Sequence, residues 1–295
     1  MFILGLAMCV TVDALMGLTY RTNTNASIAL TLPRSRTTHR AIVVFPGYIM
    51  PGELLSKAFA PYIGANDGMV VVVYAERGVS VSQISAQIMA ALDRLGPVEL
   101  RVYGASMGGM VGKGFLDRYR ATGMPYGKVT LVLDSAPASR DDVKRPSFLF
   151  DVSCRYRGGP LSTVGLAIFN ACVRKPPAPY DTPQELVCDA RRTGAWVGMP
   201  AATSQACFIA SFGTLRKDEL VDVAEQVVFL QGYSPEADPV VSISEAIDGW
   251  RVAFPNLVVI TLPGRNGRLH LPLLEYPRET VHALTANRIG REKAM

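Results

Sequence analysis

Val98-Glu99-Leu100-Arg101-Val102-Tyr103-Gly104-Ala105-Ser106-Met107-Gly108-Gly109 carries the reading on which the fold turns. Val98 to Tyr103 is rich in β-branched and aromatic residues and reads as a strand. Gly109 to Tyr119 is glycine-rich at first and then helix-like. Between them stands G-x-S-x-G, Gly104 to Gly108. Glycines two before and two after a serine let a strand and a helix approach closely around a sharp, strained turn, with the serine at its tip. The start of the helix also places backbone N–H groups near Ser106, where negative charge is stabilised.

Outward from this turn, apolar β-rich runs recur with helical patterns between them. They are Ala41 to Phe45, Met69 to Tyr74, Val98 to Tyr103, Val129 to Leu133, Val227 to Leu230 and Leu257 to Leu262. Several are continuous rather than alternating, as expected of strands buried on both faces of a parallel sheet. Ser27 to Leu32 alternates and reads as an antiparallel edge strand. Val79 to Leu95 carries Ile84, Ile88, Ala91, Leu92 and Leu95 on one helical face. Ser242 to Phe254 repeats the pattern with Ile243, Ala246, Ile247 and Trp250, and Leu271 to Ile289 reads as the last helix. Alternating strands and helices imply an α/β fold, a doubly wound and mostly parallel sheet. The alternation stops between residues 138 and 225, where no β-rich run occurs and two apolar stretches flank a Pro-rich patch. That segment reads as an inserted helical cap, which leaves residues 19–137 and 226–295 as the core.

Composition agrees with one large globular unit. The chain has 295 residues, of which 49% are hydrophobic and 19% charged. The net charge of +5 is scattered. Its densest set is Arg34, Arg36 and Arg40 around His39, with no basic stripe interleaved with aromatics, so a nucleic-acid partner is not expected. No dinucleotide, phosphate-loop or metal-spacing motif is present, so neither an organic cofactor nor a metal is expected.

The elbow Gly104-Ala105-Ser106-Met107-Gly108-Gly109 resembles that of the α/β-hydrolase superfamily, in particular its monoglyceride-lipase and lysophospholipase-like esterases. The resemblance runs from Ile28 to the last helix in strand order as well as motif. It implies a Ser-acid-His triad in that chain order, with Ser106 as nucleophile. Of three histidines, His270 follows the last strand in a loop that resembles the family's histidine loop and is the expected general base. His39 precedes the first clear strand, and His282 falls inside the last helix. Asp238, just after a strand, matches the family's acid loop, which is slightly longer here. Glu236 in the same loop and Asp134 at the end of the fourth clear strand are alternative acids. The backbone amides of Met107 and Tyr48 are the expected oxyanion donors, with Pro46 standing where the family often has His.

These assignments imply a two-step acyl transfer on a small-molecule apolar acyl ester. A peptidase, thioesterase or acyltransferase could use the same triad, and a non-catalytic binding protein could share the fold. Residues 2–18 are almost wholly apolar but short for a spanning helix, and Asp13 interrupts them. They read as a signal, a membrane anchor or a buried first element. Cys154, Cys172, Cys188 and Cys207 fall in one segment, and three pairings into two disulfides are possible. The cysteines and the apolar start together lean toward an exported or membrane-anchored protein, with a cytoplasmic one as the alternative.

Overall fold

The computed structural model describes residues 26–33, 38–75, 78–123, 125–145, 147–155, 199–262 and 270–282. The apolar segment 1–18, about half of the expected cap (146 and 156–198, with Cys172 and Cys188), residues 263–269 and the end of the expected last helix (283–289) lie outside them.

Among the described residues, seven strands form one sheet. They are β1 (Ser27–Thr31), β2 (Arg40–Phe45), β3 (Asp67–Val73), β4 (Glu99–Ala105), β5 (Lys128–Asp134), β6 (Gln226–Gln231) and β7 (Val258–Thr261). Their order is β1-β3-β2-β4-β5-β6-β7. β1 pairs antiparallel with β3, and every other pairing is parallel. The helices are α1 (Gly52–Phe59), α2 (Val81–Leu95), α3 (Met107–Ala121), α4 (Phe148–Arg155), α5 (Met199–Ser211), α6 (Ile243–Ala253) and the single turn α7 (Pro272–Glu275).

The period-two geometry of a strand explains the continuous apolar runs. Ala41, Val43 and Phe45 of β2 point into one hydrophobic cluster with the inner faces of α2, α3 and α6. Ile42 and Val44 point into the opposite cluster, with Leu55 and Phe59 of α1 and with Leu271 and Leu273. β4, β5 and β6 divide the same way, so both faces are covered and the strand centres are largely apolar, with polar residues mainly at the ends. β1 lies on the edge with an alternating burial pattern, which matches its alternating sequence.

Two expected elements take a different form. The last helix is broken: α7 ends at Glu275, Tyr276 is non-helical (φ −132°, ψ 62°), and helix resumes over 277–282. Pro277 is the cause, because its ring excludes helical geometry from the residue before it. Within 138–225, the flanks pack as core. Ala138, Leu215, Leu220, Val223 and Ala224 join the large cluster, as do Phe150 of α4 and Ala206 and Ile209 of α5. Val143 bridges Val241 in antiparallel fashion, and Lys113 of α3 meets Glu219 at 3.1 Å. A disulfide joins Cys154 of α4 to Cys207 of α5.

Parallel pairing brings the C-terminal ends of β2 to β7 to one edge. The loops after β2, β4, β5, β6 and β7 therefore open on the same side, where open α/β sheets bind ligands.

Candidate active site

Ser106 occupies the turn between β4 and α3 with φ 49° and ψ −122°. A non-glycine residue there is strained and persists only where its surroundings over-determine it. The glycines meet that demand. A Cβ on Gly108 would lie 2.0 Å from the Phe45 carbonyl oxygen, and one on Gly104 would lie 2.4 Å from Gly109 Cα. The Ser106 N–H donates to the Asp134 carbonyl at 2.8 Å, which ties the turn to β5. Met107 opens α3 and is buried.

The loop after β2 lies alongside. Gly47 is so close that a Cβ there would stand 3.3 Å from Ser106 Cβ. Met50 N–H closes a turn onto the Gly47 carbonyl at 3.2 Å, with Tyr48 and Ile49 at its centre. The Tyr74 hydroxyl, just past β3, donates to the Pro46 carbonyl at 2.9 Å. Burial holds the Tyr48 phenol well above its ordinary range.

Asp238 follows β6 in a loop whose extra length is taken up by a 3₁₀ turn, Pro235–Ala237. Asp238 is 2% exposed. Its Oδ1 accepts from Val240 N–H (2.7 Å) and Val241 N–H (2.9 Å). Its Oδ2 lies 2.8 Å from His270 Nδ1. Against a carboxylate oxygen Nδ1 is the donor, which leaves Nε2 with its lone pair. Burial alone would lower the His270 pKa. The charge and hydrogen bond of Asp238, aided by Asp134 and Glu275, outweigh it and hold the pKa above its usual value. Lys144 clamps the loop, its Nζ donating to the Asp238 carbonyl at 2.8 Å and its N–H to that of Val240 at 2.7 Å.

The alternative acids are occupied differently. Glu236 is exposed and takes the Ser234 hydroxyl. Asp134 is fully buried, and its Oδ2 accepts from the Tyr103 hydroxyl and from Leu273 N–H at 3.2 Å. Burial pushes its carboxyl up to about 6, against the opposing pull of the Tyr103 and Leu273 hydrogen bonds and the His270 charge. Asp134 thus joins two pieces of the site. Its carbonyl holds the serine turn, and its carboxylate holds the chain three residues past His270. His39 caps the opposite end of the sheet, its N–H donating to Asn66 and its carbonyl accepting from Val98 and Glu99. His282 lies in the helix resumed after Pro277.

Of the expected site residues, the structure pairs His270 with Asp238 and sets the Tyr48 loop beside Ser106. No hydrogen bond joins Ser106 to His270 among the described residues. Among those residues, no three His, Cys, Asp or Glu side chains gather as a metal site would require. No helix among them is long and apolar enough to cross a membrane. Tyr74, Lys144 and the clamping role of Asp134 were not legible in sequence, because each acts on a residue distant in the chain.

No protein-family model and no curated protein sequence matches the chain. Solved structures do. A carboxylesterase of the ammonia-oxidizing thaumarchaeon Nitrososphaera gargenis superposes with a TM-score of 0.60 at 10% identity, over 92% of this chain and 96% of that one. MenH from S. aureus gives 0.62 at 14%, over 88% and 98%. The enol-lactonase from Burkholderia xenovorans LB400 gives 0.62 at 14%, over 88% and 96%. The chain has the α/β-hydrolase fold. None of these three is described as a monoglyceride lipase, and that finer resemblance rests on the elbow sequence alone.

Proposed function

We propose that this α/β-hydrolase-fold chain is a serine hydrolase of carboxylic esters, with Ser106 as nucleophile, His270 as general base and Asp238 as the acid that orients it. The observation that carries the reading is the strained Ser106 turn on the same sheet edge as a buried carboxylate–imidazole pair. Ser106 Oγ attacks the ester carbonyl while His270 Nε2 takes its proton. The amides of Met107 and Tyr48 hold the oxyanion of the tetrahedral intermediate. His270 then gives the proton to the departing alcohol. Water, deprotonated by His270, releases the acid and restores Ser106. Asp238 stabilises the imidazolium throughout and takes no proton itself.

An apolar acyl ester is the proposed substrate, with membrane association through residues 2–18. Support comes from the neighbours, which include the carboxylesterase, the enol-lactonase and an enzyme that degrades N-acyl homoserine lactones, lactones being cyclic esters. The test is labelling by a fluorophosphonate, followed by a screen of p-nitrophenyl esters of increasing chain length. Labelling of wild type but not of Ser106→Ala or His270→Ala is the expected result. A folded wild type that never labels would sink the proposal in favour of a binding protein.

A further inference from the structure

Gln205 lies on α5, a helix contributed by the segment between β5 and β6, and is 3% exposed. Its side-chain oxygen accepts the Ile49 N–H at 2.6 Å, across 156 positions of sequence. Ile49 is the second central residue of the Gly47–Met50 turn and has φ 49°. That position of a turn favours Gly or Asn when φ is positive, and a β-branched side chain there is an outlier. Rotating the Tyr48–Ile49 peptide would relieve the strain, and the hydrogen bond to Gln205 opposes that rotation. The other end of the loop is held by the Tyr74 hydroxyl on the Pro46 carbonyl. The Tyr48 N–H thus lies between two anchors, one from β3's end and one from α5.

We propose that Gln205 is a positioning residue, holding the loop that presents the Tyr48 amide as an oxyanion donor. The proposal rests on the hydrolase reading above. α5 is a firm base for it. Ala206 and Ile209 are buried in the large cluster. Cys207, two residues on and so about 200° around the helix, is bonded to Cys154 of α4. One side of α5 therefore faces the oxyanion loop while another is stapled to α4. Placement of the α4–α5 pair and the geometry of the oxyanion site become one property.

The test compares Gln205→Met, which keeps chain length but loses the acceptor, with Gln205→Glu, which keeps the acceptor. Two quantities are read: hydrogen exchange at the Ile49 amide, and kcat, KM and trifluoromethyl-ketone inhibition on an ester that wild type cleaves. In Gln205→Met the Ile49 amide should exchange at least about tenfold faster. Its kcat should fall by about 10- to 100-fold with KM nearly unchanged, since displacement of a catalytic group by about 1 Å can cost that much. Ketone affinity should weaken in proportion, because that ligand reads the oxyanion site. Gln205→Glu should keep the Ile49 protection. Wild-type exchange and kcat in a folded Gln205→Met would overturn the proposal. If that variant does not fold, Gln205→Asn, one methylene too short to reach Ile49, carries the same comparison. A wild type that resists fluorophosphonate would defeat the hydrolase reading instead, and Ile49 exchange would still decide whether Gln205 holds the loop.

Discussion

Two buried carboxylates sit near His270, and their partners assign them different work. Asp238 gives an oxygen to the imidazole, so Asp238→Asn should present the wrong tautomer and lower kcat by about 10⁴ without unfolding the chain. Because the net environment raises the His270 pKa, the rising limb of kcat/KM against pH should have its midpoint above the ordinary 6.5. A midpoint below 6.5 would contradict the Asp238 pairing. Asp134 binds protons more tightly folded, at about 6, than at its ordinary 3.8. The native state then holds the extra proton between those values, so the contribution of Asp134 to stability is fully present below 3.8 and is lost as pH rises through about 6. Asp134→Asn should flatten that fall, which amounts to about 3 kcal/mol, in urea midpoints taken across the window. Gly108→Ala drives a methyl against the Phe45 carbonyl and should cost more than about 4 kcal/mol or prevent folding, as read by thermal melting.

Elements with strong local signals formed where the periodicity put them, and their ends follow from particular residues. α2 begins at Ser80, whose side chain accepts the Gln83 N–H, and stops at Gly96 in the left-handed conformation. α6 is held by Trp250, fully buried, whose indole N–H donates to the Ala136 carbonyl at 2.9 Å. Trp250→Ala should therefore destabilise by about 3–5 kcal/mol, measured by chemical denaturation. The C-terminal helix shows where periodicity misleads. Its apolar spacing runs through Pro277, but the proline breaks the helix at Tyr276 and leaves a single turn that delivers Leu273 N–H to Asp134.

On the scale of the whole molecule, the Cys154–Cys207 bond crosses the insertion with a sequence separation of 53. A loop of that size restrains the unfolded chain by about 4 kcal/mol. Reduction should then lower Tm by on the order of 10 °C. Thiol titration of denatured, unreduced protein should find no more than three of the five cysteines free. All five reacting would remove the bond and the staple it gives α5.

The run of strands and helices along the chain, the two-faced sheet and the serine turn were readable in one dimension because each rests on short-range physics, whereas the lateral order of the strands was not. Burial on both faces makes a strand apolar throughout, and crowding at a sharp turn demands glycine at fixed spacing. Ser106 and His270 could be proposed from motif and chain position, as could Asp238 with Glu236 and Asp134 as alternatives. Which acid meets the imidazole could not, because Asp238, Glu236 and Asp134 all sit at strand ends and differ only in the company that folding gives them. The cysteine pairing, the Lys144 clamp and the reach of Gln205 to Ile49 likewise join residues far apart in sequence. Such contacts leave no local pattern, and only the packing of segments distant in the chain decides them.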